Sequence, residues 1–227
     1  MAKELLTRTA YLWASHPEDG GVRTRLTITQ TQDQSTNATF ATSATTNPTL
    51  GYWTTNACIL HGEKILMADG TSKNVQDIVI GDQVKAISID GLGLEEDSWR
   101  TWFIHGDEFN ESNATTEITA VTIGQWDIYY ELMYNTGGEA KSLQVTGEHP
   151  VLSKRNNQVA FTPVVQLLVT DEVYYFPTNT WVELTQIDII EDNTLPTYSL
   201  GAEDADNYVA GGIIVHNVEN EQKIRQQ

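Results

Sequence analysis

Two residues of this chain carry chemistry that could act on a peptide bond, and they stand far apart in sequence. The first is Asn217, which ends the stretch Asn207-Tyr-Val-Ala-Gly-Gly-Ile-Ile-Val-His216-Asn217. Its carboxamide can close a five-membered imide on its own carbonyl, which would break the bond to Val218. An element that holds this approach rigidly replaces an entropic cost with a fixed geometry. His216 precedes it directly, although a His-Asn dipeptide is common and reads equally as a polar strand end. The second is Cys58, the one cysteine of the chain. A single thiol excludes an internal disulfide and leaves packing or reactivity as its use. Packing is the ordinary fate of a buried cysteine.

The elements that must position these residues read as strands. Tyr208 to Ala210 and Ile213 to Val215 flank Gly211-Gly212, which predicts a hairpin whose turn needs positive φ at both central residues. From Cys58 onward short β runs and glycine turns follow one another: Lys64 to Met67 into Asp69-Gly70, Lys85 to Ile89 after Gly81-Asp82, then Glu117 to Ile123, Asp127 to Tyr134, Ser142 to Thr146, Glu172 to Phe176 and Trp181 to Ile190. No helix-period segment interrupts them, so the expected fold is all-β. Residues 91 to 116 are acidic and irregular and read as a surface insertion. Upstream, Val22 to Thr29 alternates like a half-buried strand. Residues 4 to 15 do not settle a period. Residues 30 to 56 are rich in Thr, Ser, Asn and Gln, too polar for a core of their own, and are either edge strands on something larger or a solvated arm.

The bulk composition narrows the function classes. A chain of 227 residues, 40% hydrophobic, can build a full domain with extra segments. The 31 acidic against 13 basic side chains give a formal charge of -18, which repels a phosphate backbone, so nucleic-acid binding is not expected. No apolar run approaches the ~20 residues of a bilayer span, and the first residues lack a signal-peptide core. No membrane partner is expected; the compartment is not specified by the sequence, with cytoplasmic or virion-associated as the two readings.

Three ordered blocks then carry a resemblance. Cys58 is followed by Lys64-Ile-Leu-Met-Ala-Asp-Gly-Thr-Ser-Lys-Asn-Val-Gln-Asp-Ile-Val-Ile-Gly-Asp-Gln-Val84; the second block is Leu143-Gln-Val-Thr146-Gly-Glu-His149-Pro-Val-Leu152; the third runs from Tyr198-Ser-Leu to His216-Asn217. Together they resemble the Hint domain, the self-processing module shared by inteins, bacterial intein-like domains and hedgehog C-terminal domains. The resemblance implies a pseudo-two-fold β horseshoe over 58–217, between a β-rich polar arm at 1–57 and a short tail at 218–227. It implies that Cys58 is a nucleophile that attacks the carbonyl of Ala57, turning the peptide into a thioester. His149 would supply the proton for the departing amine, and Thr146 would hold the bond or the oxyanion. His216 would accompany the cyclising Asn217, and the chain's own flanking segments would be the substrate.

The sequence departs from that pattern in three places. Val218 follows the terminal Asn where a splicing intein needs Cys, Ser or Thr, so cleavage is expected and ligation is not. Where the family commonly has Asp and His as helpers, this chain has Ser199 and Asp206; the first has no carboxylate, and the second gives up no proton near neutrality unless its pKa is raised. Cys58, His149 and His216 would meet in the folded centre, but one cysteine without Cys-x-x-Cys or His-x-x-x-His spacing gives no metal signal, and no cofactor is expected. A second reading, of a different class, is a structural component of a larger assembly such as a phage virion or tail, partnered by other subunits, in which the Hint domain is slow or inactive.

Overall fold

The computed structural model describes residues 57–92, 102–192, 194–202 and 205–217, together with the backbone of 5–14 and 22–31. The chain divides into two compact units, Met1–Thr54 and Thr55–Gln227. In the first, β1 (Leu5–Ala14) and β2 (Val22–Thr31) form an antiparallel pair from Leu5 opposite Thr31 to Ala14 opposite Val22. The alternating run at 22 is thus a strand, and the segment before it, which has no clear period of its own, is its pairing partner. The polar stretch 32–56 and the tail 218–227 lie outside the described residues.

The second unit runs β3 (Ile59–Leu60), β4 (Lys64–Leu66), β5 (Ser72–Asn74), β6 (Gln83–Ile89), β7 (Ile104–His105), β8 (Glu111–Gln125), β9 (Ile128–Thr136), β10 (Glu139–Val145), β11 (Pro150–Arg155), β12 (Gln158–Pro163), β13 (Glu172–Tyr175), β14 (Thr180–Glu191), β15 (Pro196–Ala202), β16 (Asn207–Ala210) and β17 (Ile213–His216). All are antiparallel and join in one open sheet ordered β5-β4-β16-β17-β11-β13-β14-β9-β10-β3-β15-β8-β6, with β12 and β7 added beside β11. Among the described residues the only helical pieces are single 3-10 turns. The insertion expected at 91 to 116 is shorter than its composition suggests. Residues 111–117 extend β8 and pair along the whole of β6, from Ile89 opposite Glu111 to Gln83 opposite Glu117. Backbone pairing with an apolar partner strand overrides the polar side chains of Glu111-Ser-Asn-Ala-Thr-Thr-Glu117.

The hairpin β16–β17 is the centre of the unit. Its turn residues Gly211 and Gly212 both have positive φ, +58° and +91°, as the dipeptide predicts. A Cβ on Gly212 would fall 2.5 Å from Tyr175 Cε2, so the side chain is excluded by space as well as by conformation. Every residue of both strands is buried. The pleat explains this: Tyr208, Ala210, Ile213 and Val215 enter a core with Ile59, Leu132, Leu143 and Val145, while Val209 and Ile214 enter a second core with Ile87, Leu152 and Phe161. Burying a large apolar side chain contributes about 1.5–3 kcal/mol, so a hairpin sealed on both faces holds its end firmly.

A local repeat flanks this centre. Val75-Gln-Asp-Ile-Val-Ile-Gly-Asp82-Gln-Val84 and Val164-Val-Gln-Leu-Leu-Val-Thr-Asp171-Glu-Val173 both open on a 3-10 turn and end on an aspartate that accepts a backbone N–H: Val79 N to Asp82 Oδ2 and Leu168 N to Asp171 Oδ2, each 2.8 Å. Each aspartate carbonyl accepts from the neighbouring long strand, from Ile118 N at 2.9 Å and Leu184 N at 3.0 Å. A cation completes both sites. Lys73 Nζ lies 2.7 Å from Asp82, and Arg155 grips the fully buried Asp171 with Nε at 2.6 Å and Nη2 at 2.5 Å. The two turns are built alike, down to the aspartate and the cation that pairs with it.

Candidate active site

Strand β3 lies between β10 and β15, and this fixes Cys58 from both sides. Ile59 pairs with Val145 of β10 and with Tyr198 of β15. One step back, the Cys58 N–H donates to Thr146 Oγ1 at 2.9 Å, and Thr146 N–H donates to the Cys58 carbonyl at 3.0 Å. Ala57, Cys58 and Thr146 are all buried. The turn Thr146-Gly-Glu-His149 closes through His149 N–H to the Thr146 carbonyl at 3.1 Å and is tied to the second 3-10 segment by Val164 N–H to the His149 carbonyl. Thr146 therefore touches the nitrogen of the Ala57–Cys58 bond and helps aim His149 through its own backbone.

His149 is fully buried, and neither ring nitrogen completes a hydrogen bond. Burial, and then the nearby His216, push its pKa down to about 3; the Cys58 backbone, near the ring but outside hydrogen-bonding geometry, opposes weakly. The imidazole is neutral at pH 7 and able to accept a proton. Burial raises the Cys58 thiol to about 11, against the adjoining side chains of Thr197 and Trp126. Cys58 at rest is a thiol.

At the other terminus of the domain, His216 and Asn217 extend from the sealed hairpin and are buried. His216 Nδ1 is hydrogen-bonded to the Asn217 carbonyl oxygen. A carbonyl only accepts, so this nitrogen carries the proton. Asn217 N–H donates to the Asp206 carbonyl at 2.9 Å and its Nδ2 to the Ala202 carbonyl at 2.7 Å, while Oδ1 has no partner. Asp206 itself has φ +49°. The turn it occupies is pinned by Asn207, whose amide donates to the Ile87 carbonyl at 2.8 Å and accepts from Ile87 N–H at 2.9 Å. Ser199 sits half-buried on β15 opposite Thr122. Val218 lies outside the described residues.

His149 links these two groups, since both His216 and the Cys58 backbone act on its ring. Among the described residues, the buried side-chain polar atoms without a hydrogen-bond partner are both His149 ring nitrogens, Thr197 Oγ1, the Tyr208 hydroxyl and Asn217 Oδ1. All belong to this centre: burial and then Cys58 raise the pKa of Tyr208. Such groups are rare in a core, and their concentration in one place marks a site whose polarity serves something other than stability. His61 lies beside Tyr198, with 3.5 Å from Nδ1 to the hydroxyl, and His105 lies on the surface near Asp107. Thr197, Trp126, Asn207 and Tyr208 are members of the centre that the sequence did not single out. Thr197, Asn207 and Tyr208 border or fall within the closing block; Trp126, beyond the end of β8, carries no sequence signal.

An open antiparallel β domain with a cysteine before its first strand and an asparagine after its last has the Hint fold, that of inteins and intein-like domains. Solved structures match it over nearly their whole length. A bacterial intein-like domain from Clostridium thermocellum is 18% identical, with a TM-score of 0.53 over 70% of this chain and 98% of its own. The TvoVMA intein is 14% identical with a TM-score of 0.53, covering 71% of this chain and 98% of its own. A DnaB intein from Synechocystis sp. PCC 6803 is 16% identical with a TM-score of 0.51, covering 71% and 99%. No protein-family model and no curated protein matches the sequence.

Proposed function

We propose that this chain is a self-processing domain that cuts its own backbone at Ala57–Cys58 and at Asn217–Val218 without joining the flanks. The observation that carries this reading is the buried hydrogen bond from Cys58 N–H to Thr146 Oγ1, with a neutral, unpartnered His149 beside it. In the first step the Cys58 Sγ–H proton passes to His149, sulfur bonds to the Ala57 carbonyl carbon, and the bond from that carbon to Cys58 N breaks as the nitrogen takes the proton. A buried imidazole of low pKa suits this relay, because it accepts a proton only transiently and surrenders it readily to an amine. Water then hydrolyses the thioester. In the second step Asn217 Nδ2 attacks its own carbonyl carbon; His216 Nδ1–H polarises the carbonyl oxygen, and the Val218 amine leaves with a proton. The Asn217 amide is held by Ala202 in this conformation, so it must turn from that carbonyl before it attacks. Val218 offers no hydroxyl or thiol to accept an acyl group, so no ligation follows.

Intact mass of the purified chain, incubated with and without a small thiol, tests this. Loss of residues 1–57 accelerated by thiol, and loss of 218–227 independent of it, are expected. Persistence of the full mass under both conditions, unchanged by Cys58→Ala, would overturn the processing reading and leave the domain as a scaffold within a larger assembly.

A further inference from the structure

The sulfur of Cys58 has neighbours that the reaction above leaves unused. Thr197 is completely buried, and its Oγ1 has no hydrogen-bond partner. Leu60 pairs with Thr197 and Ile59 with Tyr198, so the pleat puts Cys58 on the same face as Thr197, diagonally across from it. On the other side of β15, Thr197 pairs with Gly124. A Cβ on Gly124 would stand 3.4 Å from Thr197 Oγ1 and 3.7 Å from Trp126 Nε1. A hydroxyl and an indole N–H thus lie together beside Gly124, on the face that carries the thiol. Both groups favour the ionised sulfur against the effect of burial.

We propose that Thr197 Oγ1–H and Trp126 Nε1–H donate hydrogen bonds to Cys58 Sγ as its proton leaves, and that they are further catalytic residues of thioester formation. This rests on the self-processing reading. A neutral thiol is a weak acceptor, which accounts for a Thr197 hydroxyl that borders the sulfur yet stands unpartnered. An indole N–H can only donate, so it discriminates for the thiolate. When the Sγ–H proton moves to His149, both donors meet a full negative charge in a buried site, where charge-assisted bonds are about twice as strong as neutral ones. As the bond from sulfur to the Ala57 carbon forms, the charge passes to the carbonyl oxygen and the donors are released.

The full chain has a single cysteine, so alkylation by iodoacetamide followed by mass reports Cys58 alone. The pH profile of the rate is measured for the wild type, Thr197→Val, Thr197→Ser and Trp126→Phe, with circular dichroism confirming the fold of each. Thr197→Val and Trp126→Phe should each move the midpoint upward, with alkylation below the midpoint slowed about tenfold for every pH unit of that movement. Thr197→Ser should keep the wild-type profile. Thioester capture by hydroxylamine should slow in the same order. An identical midpoint in all four chains, or a Thr197→Ser profile as displaced as that of Thr197→Val, overturns the proposal. Alkylation requires no cleavage, so the two readings fail separately: a chain that is never cut but whose profile moves supports the donors and refutes the processing.

Discussion

At the level of single residues, the centre combines a thiol that resists ionisation with an imidazole that resists protonation, and both resist for the same reason, burial. Neither is charged at neutral pH, so the resting centre holds no ion pair, and proton transfer from the thiol to the imidazole is uphill unless the developing charge is stabilised. His149→Gln, which preserves polarity but cannot relay a proton, should slow thioester formation by about 10²–10⁴-fold, measured by hydroxylamine capture. Under the proposed self-processing, Ser199 and Asp206 would stand where the resemblance to intein-type domains implies Asp and His helpers. Ser199→Asp with Asp206→His should raise the rate of Val218 release by at least about tenfold, read by mass. His tolerates the left-handed backbone of position 206 better than most residues, so the exchange is compatible with φ +49°.

Among the elements, the two repeated turns make a matched pair with unequal burial. Asp171 is fully buried and doubly bonded to Arg155, whereas Asp82 and Lys73 keep side-chain exposures of 18% and 33%. Removing Asp171 leaves the Leu168 N–H without its partner inside the fold, while the Arg155 guanidinium, 43% exposed and still bonded to the Gln166 carbonyl, can turn to water. Asp171→Ala should cost about 1–3 kcal/mol in urea denaturation. Asp82→Ala, where water can replace the lost contacts, should cost about 1 kcal/mol. The β16–β17 hairpin has its own weak point. Gly212→Ala places a Cβ against the Tyr175 ring in a conformation that alanine disfavours, and a loss of about 1–3 kcal/mol is expected by the same measurement.

For the whole molecule, two buried groups oppose each other in their response to pH. His149 titrates at about 3 in the fold against 6.5 ordinarily, so between these values the unfolded chain binds a proton that the native chain refuses, and stability falls as pH drops. Glu63 goes the other way. Half-buried, with its Oε1 accepting from Gln144 N–H at 3.0 Å, it is raised by burial and then by Glu131 to about 7 from 4.5, against the pull of that N–H. In that window the native carboxyl keeps a proton that the unfolded one has released, so stability falls as pH rises. The two slopes overlap and offset each other between pH 4.5 and 6.5. The wild-type urea midpoint should be nearly flat there. Glu63→Gln should unmask a midpoint that rises with pH and His149→Gln one that falls, each with a limiting slope of about 1.4 kcal/mol per pH unit.

Period, glycine placement and three motif blocks are local properties, and through them the sequence by itself determined the β character, the Gly211-Gly212 turn, Cys58, the Thr146 to His149 block, and the terminal His216-Asn217 with Val218 after it. The tertiary structure decided what depends on register and burial. The polar strand at 111–117 is invisible to periodicity, because pairing with β6 and not an apolar pattern creates it. Thr197 and Trp126 adjoin Cys58 because β15 lies between β3 and β8. The proton states of His149 and Cys58 likewise follow from desolvation, which no linear sequence displays. Residue types name the groups that could act on a peptide bond; burial within the folded sheet sets which proton each one holds.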